Sequence, residues 1–153
     1  MRIIHQESGP DTPIYNQRSR IMQNWAIIGR WVVPLSAVLN GRHGRRHGKF
    51  LYTVAYGTLH LYTGMTERSV YSRLRHHVNH PTQLGQCIRV APIETFTIEV
   101  MEIDGDVCTA ERQRIQQLRP PLNITEHYHS KKLVKMFVLI FISLHTKLDI
   151  DSL

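Results

Sequence analysis

The chain has 153 residues, 42% hydrophobic and 20% charged, which suits one globular domain with short extensions and leaves too little for two independent cores. A formal charge of +7 and a pI near 9.8 favour a polyanionic partner, because each base that meets a phosphate can release condensed counterions. Two cysteines, Cys87 and Cys108, without a Cys-x-x-Cys spacing exclude a disulfide framework and a standard zinc ribbon, and fit a reducing, cytoplasmic setting.

The N-terminal stretch is polar and punctuated by Gly9, Pro10 and Pro13, the composition of a flexible arm without the apolar core of a secretory signal. Residues 21–39 are apolar enough to pack, but Gly29, Arg30 and Pro34 interrupt them and argue against a membrane span. A short helix and a strand or turn against the domain are expected there. Residues 40–49 set Arg42, Arg45, Arg46 and Lys49 among three glycines, which reads as a flexible loop whose bases contact phosphate. Residues 1–48 are thus expected to be an arm and a basic loop, ahead of a core at 49–125.

Tyr52, Val54 and Tyr56 alternate on one face of a strand, Gly57-Thr58 turns the chain, and a returning strand ends in Tyr62-Thr63-Gly64. A helix follows, with Val70, Leu74 and Val78 as its packing stripe and Arg73 and His77 one turn apart on a neighbouring face. A guanidinium that forks onto two oxygens and an imidazole that exchanges protons near neutral pH can address one phosphate. Residues 80–94, with Pro81, Gly85 and Pro92, read as irregular. Phe96, Ile98 and Val100 then alternate with Thr97 and Glu99 in a third strand with one solvated face.

A turn at 103–106 leads to a second helix capped by Asp106 or Thr109, with Ile115 and Leu118 on its inward stripe. Glu111 lies one turn before Ile115 on that same face. An unpaired buried carboxylate would cost several kcal/mol, so Glu111 requires a cation, either an arginine or a metal. Pro120-Pro121 stop the helix and Asn123 follows, fit to hold a side chain or backbone group in place or to serve as a plain turn residue. Residues 126–153 form an extension of unassigned role, whose apolar run Met136–Ile142 is too short to cross a membrane.

Tyr52, Tyr62-Thr63-Gly64, Arg73, Glu111 and Asn123 together resemble the GIY-YIG nuclease family over about half of the chain. The first half-motif reads Phe50-Leu51-Tyr52, with the tyrosine but without the glycine; Tyr56 stands too close to Tyr62 for the hairpin the motif needs. The resemblance implies an α+β fold with a three-stranded antiparallel sheet flanked by helices. It implies a DNA endonuclease that hydrolyses phosphodiester bonds with Mg²⁺ or Mn²⁺ held by Glu111. Arg73 would steady the phosphate's developing charge and Tyr52 would help activate water. A free phenol near pKa 10 is a poor base, so His77 would take its proton, with Tyr62 as partner or water orienter and Asn123 as support. DNA is then the expected partner, no membrane is involved, and a homodimer is one route to double-strand cleavage. The absent glycine leaves an alternative, a catalytically silent nucleic-acid-binding module of the same fold. A zinc site on His76, His77 and His80 lacks further ligands at suitable spacing.

Overall fold

A computed structural model describes residues 23–123; the expected N-terminal arm and the apolar run at 136–142 lie outside the described residues. In chain order the elements are β1 (Trp25–Pro34), α1 (Leu35–Leu39), β2 (Phe50–Tyr56), β3 (Leu59–Thr66), α2 (Val70–Asn79), α3 (Gln83–Val90), β4 (Phe96–Gly105) and α4 (Val107–Leu118), with short 3-10 turns at Ile93–Thr95 and Pro121–Asn123.

The fold is α+β with an antiparallel sheet, and that sheet has four strands in the order β1-β4-β2-β3 rather than the three expected. The additional strand is β1, which pairs with β4 from Trp25↔Gly105 to Pro34↔Thr97. It escapes a period-2 reading because its register shifts between Ile27 and Gly29, and because its outer face keeps apolar Ile28 and Val32 in solvent. Trp31 and Val33, on the inner face, pack on the core.

Helices lie on both faces of the sheet. On one, Phe50, Tyr52 and Val54 of β2 and Phe96, Ile98 and Val100 of β4 meet Leu35 and Val38 of α1, Val70 and Leu74 of α2, and Leu84, Cys87 and Ile88 of α3. On the other, Leu51, Met101 and Ile103 meet Val107 and Ala110 of α4. The alternation read in β4 is therefore real, but its second face is partly roofed by α4 and holds Glu99 between Arg30 and Arg114.

Two further expectations are corrected. The stretch read as irregular contains α3, started by Thr82, whose hydroxyl accepts from the Gly85 N–H at 3.0 Å. Leu84, Cys87 and Ile88 supply its apolar stripe. The basic loop has a fixed course: the Tyr71 N–H donates to the Gly44 carbonyl at 2.9 Å and the Gly48 N–H to the Arg68 carbonyl at 3.1 Å, which ties it to the start of α2. Gly44 sits there at φ +73°, which a residue with a side chain rarely adopts.

Gly85 is the contact point of α2 and α3. A Cβ at this position would lie 1.9 Å from the His77 carbonyl oxygen, so the two helices approach as they do because residue 85 has no side chain. Gly85→Ala is expected to lose about 3 kcal/mol by urea unfolding, the upper range for overpacking. The comparison is Gly57→Asn, at a turn glycine with nothing within 4 Å of its added Cβ, which should be near neutral. Equal stabilities of the two variants would refute this packing argument.

Candidate active site

The site is built outward from the pairing of β2 with β3. Tyr52 faces Gly64 across the strands. A Cβ on Gly64 would stand 2.6 Å from the Tyr52 hydroxyl and 2.7 Å from the Tyr62 ring, so the missing side chain is what admits both phenols to one spot. The tyrosine rings are 6.2 Å apart. Tyr52 has no exposed surface, whereas Tyr62 is half-buried. Tyr56, at the other end of the hairpin, stacks edge-on against Phe96, so Tyr52 is the β2 tyrosine that meets Tyr62.

Helix α2 starts at Ser69, whose hydroxyl accepts from the Ser72 N–H at 3.1 Å, and is seated by buried Val70 and Leu74. That seating turns His77 inward and leaves Arg73 at the solvent edge. His77 Nε2 is 3.3 Å from the Tyr52 hydroxyl and its ring meets Tyr62 edge-on at 5.2 Å. The charge of the Arg73 guanidinium acts on both phenols and favours their ionised forms.

Burial dominates the electrostatics. It raises the phenols of Tyr52 and Tyr62, and Arg73 offsets this in part. Burial, then the charge of Arg73 and the neighbouring His76, lowers His77 to about 4. His77 is therefore a neutral imidazole at neutral pH, which corrects the expectation of a group titrating there: one ring nitrogen carries a hydrogen and the other a lone pair. Burial works against the charge of Arg73, but the two phenols outweigh it and raise its pKa.

Helix α4 brings Glu111 to the same sheet edge from the opposite face. Asp106 caps it by accepting from the Cys108 and Thr109 N–H groups at 3.0 and 3.1 Å, and Val107 and Ala110 are its buried residues. Ile115 and Leu118, expected to mark the inward stripe, are half-buried, and Glu111 is half-buried beside them. Burial raises its pKa, with the Met65 backbone and the charge of Arg73 pulling the other way. Asn123 bridges the outer edge of β3: its Oδ1 accepts from the Thr63 N–H and its Nδ2 donates to the Thr63 carbonyl, each at 2.7 Å. The amide thus holds a backbone group, one of the roles open to it from sequence.

The residues of the basic loop are exposed, but three have internal partners. Arg45 donates to the Gly41 carbonyl at 2.9 Å and lies over the Tyr71 ring, Arg46 pairs with Glu102, and Lys49 donates to the Gly105 carbonyl at 2.9 Å. Among the described residues the Arg42 side chain has no hydrogen bond or ion pair. Beside Arg73 opens a cleft of about 580 Å³ lined by Thr66, Arg68, Ser72 and His76. Sequence reasoning weighed His76 only as a zinc ligand, read Arg68 as a solvated residue and passed over Thr82; the cap pattern of Thr82 three residues before Gly85 was the available signal for the last.

Among the described residues no group of three or more His, Cys, Asp or Glu could hold a metal ion, and no helix is long and apolar enough to cross a membrane. A lone carboxylate still suits a magnesium-type cation, which takes one or two protein carboxylates and fills its shell with water and phosphate oxygens. Glu111 fits that description: it is half-buried, and among the described residues it forms no ion pair, so a cation would relieve its burial. No protein-family model, curated protein or solved structure matches the chain.

The depressed histidine has a stability consequence. Between its folded pKa of about 4 and the ordinary 6.5, the unfolded chain binds the proton better. The stabilising contribution is complete above pH 6.5 and is lost as pH falls towards 4, by roughly 3 kcal/mol. The raised Glu111 works in the opposite sense over part of the window. Urea titrations at pH 7 and pH 4.5 should show the loss in the wild type and a flatter profile in His77→Gln; equal slopes would rule His77 out as the source.

Proposed function

We propose that the protein is a metal-dependent DNA endonuclease of the GIY-YIG type, hydrolysing phosphodiester bonds with a water activated through tyrosine and histidine. The observation that carries this reading is the convergence of Tyr62 from β3, Arg73 from α2 and Glu111 from α4 at one edge of the sheet, with a neutral His77 behind Tyr52.

Each residue has a part. Arg73 binds a non-bridging phosphate oxygen and offsets the charge that grows as water attacks phosphorus. Tyr62, the less buried phenol, meets the water, and Tyr52, whose ring lies 6.2 Å from that of Tyr62, links it to His77. The water's proton passes to the Tyr62 oxygen as the Tyr62 proton passes to Tyr52 and the Tyr52 proton to His77 Nε2, while the new P–O bond forms and the bond to the leaving oxygen breaks. Glu111 would hold Mg²⁺ or Mn²⁺, whose chemistry is to stabilise negative charge on phosphate and leaving-group oxygens. Asn123 keeps β3, and with it Tyr62, in place. Arg68 and His76 extend a basic path along the cleft from Arg73, and Arg42 offers another contact from the loop.

The full burial of Tyr52, together with the absent glycine before it, favours a second reading: a silent DNA-binding module that keeps the fold. One experiment separates them. Supercoiled plasmid with Mg²⁺ or Mn²⁺ should be nicked or linearised by the wild type, with Arg73→Ala and Glu111→Ala slower by roughly 100-fold or more at equal DNA occupancy. DNA bound but left intact across metals and pH would favour the silent module. In metal-free binding titrations, Arg68→Ala should lower the slope of log affinity against log salt by about 1; an unchanged slope would remove Arg68 from the DNA path.

A further inference from the structure

We infer that Thr82 is a positioning residue that fixes the tautomer of His77, so that Nδ1 carries the ring proton and Nε2 is the bare, accepting nitrogen turned to Tyr52. The inference rests on the endonuclease reading for its purpose, but not for its geometry.

Thr82 Oγ1 has three neighbours and one proton. The His77 carbonyl oxygen, at 3.2 Å, can only accept. The Gly85 N–H, at 3.0 Å, can only donate. His77 Nδ1, at 3.2 Å, could do either. The residue four on from His77 is Pro81, which has no N–H to offer that carbonyl, so the hydroxyl proton goes to the carbonyl and Nδ1 brings its own. A neutral imidazole carries a single N–H, which leaves Nε2 as a lone pair 3.3 Å from the Tyr52 hydroxyl. The polarity of the whole chain follows: Tyr52 donates to His77, and His77 donates to Thr82.

Thr82 can enforce this because it belongs to the joint between helices. It caps α3, its hydroxyl bonds back to the last part of α2, and Gly85 brings the two helices into contact at the His77 carbonyl. The residue that starts one helix therefore orients a side chain on another. The tautomer it selects is the one less favoured by a free imidazole. With the opposite tautomer, the Thr82 hydroxyl would have to turn from the His77 carbonyl to Nδ1, leaving that carbonyl without its donor, and the ring proton on Nε2 would occupy the place the Tyr52 proton must enter.

The test is a long-range ¹H–¹⁵N correlation on the full chain with ¹⁵N-labelled histidine at pH 7, without DNA or metal, with His77 assigned by its loss in His77→Gln. The wild type and Thr82→Ser should show protonated Nδ1 and bare Nε2; Thr82→Val should move His77 towards protonated Nε2. Protonated Nε2 in the wild type, or a Thr82→Val spectrum unchanged from it, would overturn the assignment. If Thr82→Val fails to fold, the wild type and Thr82→Ser spectra still decide. In plasmid cleavage at saturating DNA, Thr82→Val should be roughly 10-fold slower or more with unchanged KM, and Thr82→Ser should restore the rate. The expected spectra alongside an intact plasmid would defeat the endonuclease reading while the assignment of Thr82 stands.

Discussion

The pairing of Tyr52 with a residue that has no side chain is the constraint from which the rest of the site follows. A strand register shifted by one would send the Tyr52 ring to the α4 face, beneath Val107 and Ala110, and turn Gly64 away from it. In the register that forms, the ring crosses above Gly64 and its hydroxyl reaches the space where β3, α2 and Tyr62 meet. Val70 and Leu74 seat α2 over that point, and the turn of the helix does the remainder by presenting Arg73 outward and His77 inward. The sheet sets the place of the hydroxyl and the helix sets its neighbours.

Two burials of unlike groups produce a chain of neutral members. Desolvation disfavours phenolate on the tyrosines and imidazolium on His77, so at neutral pH neither end of the Tyr52–His77 contact holds a charge. The charge in this corner belongs to Arg73, which the phenols help to hold, and to Glu111 across the edge strand. Under the proposed endonuclease reading, the neutral Tyr52–His77 pair presents no fixed phenolate to an approaching phosphate.

Much of this was legible from residues. The Gly57 turn, the β4 alternation, the Asp106 cap and the Arg73–His77 spacing depend on local rules, and local rules are written in the sequence. What escaped reading depends on partners. Strand β1 has no clean alternation because one of its faces stays open and its register slips at Ile28. Helix α3 hides behind Gly85, which looks like a breaker but is demanded by the backbone of α2. The glycines of the basic loop suggested freedom, yet the loop is held by hydrogen bonds to α2 that no single-segment pattern contains. The pKa of His77 was misjudged for the same reason: spacing gives its helix face, but not how much of the ring solvent can reach.

The Asn123 amide, finally, bears on how the sheet can grow. An edge strand offers unsatisfied N–H and carbonyl groups to any extended chain that drifts alongside it. At Thr63 both groups are already taken by one side chain, so β3 is stoppered in its middle, next to the phenols. A stray strand arriving there would have to displace the amide before it could zip on. The opposite border, β1, bears exposed Ile28 and Val32. The edge that carries the candidate site, by contrast, is blocked at Thr63 by a side chain of its own chain, so β-zippering past the phenols would first have to break two hydrogen bonds.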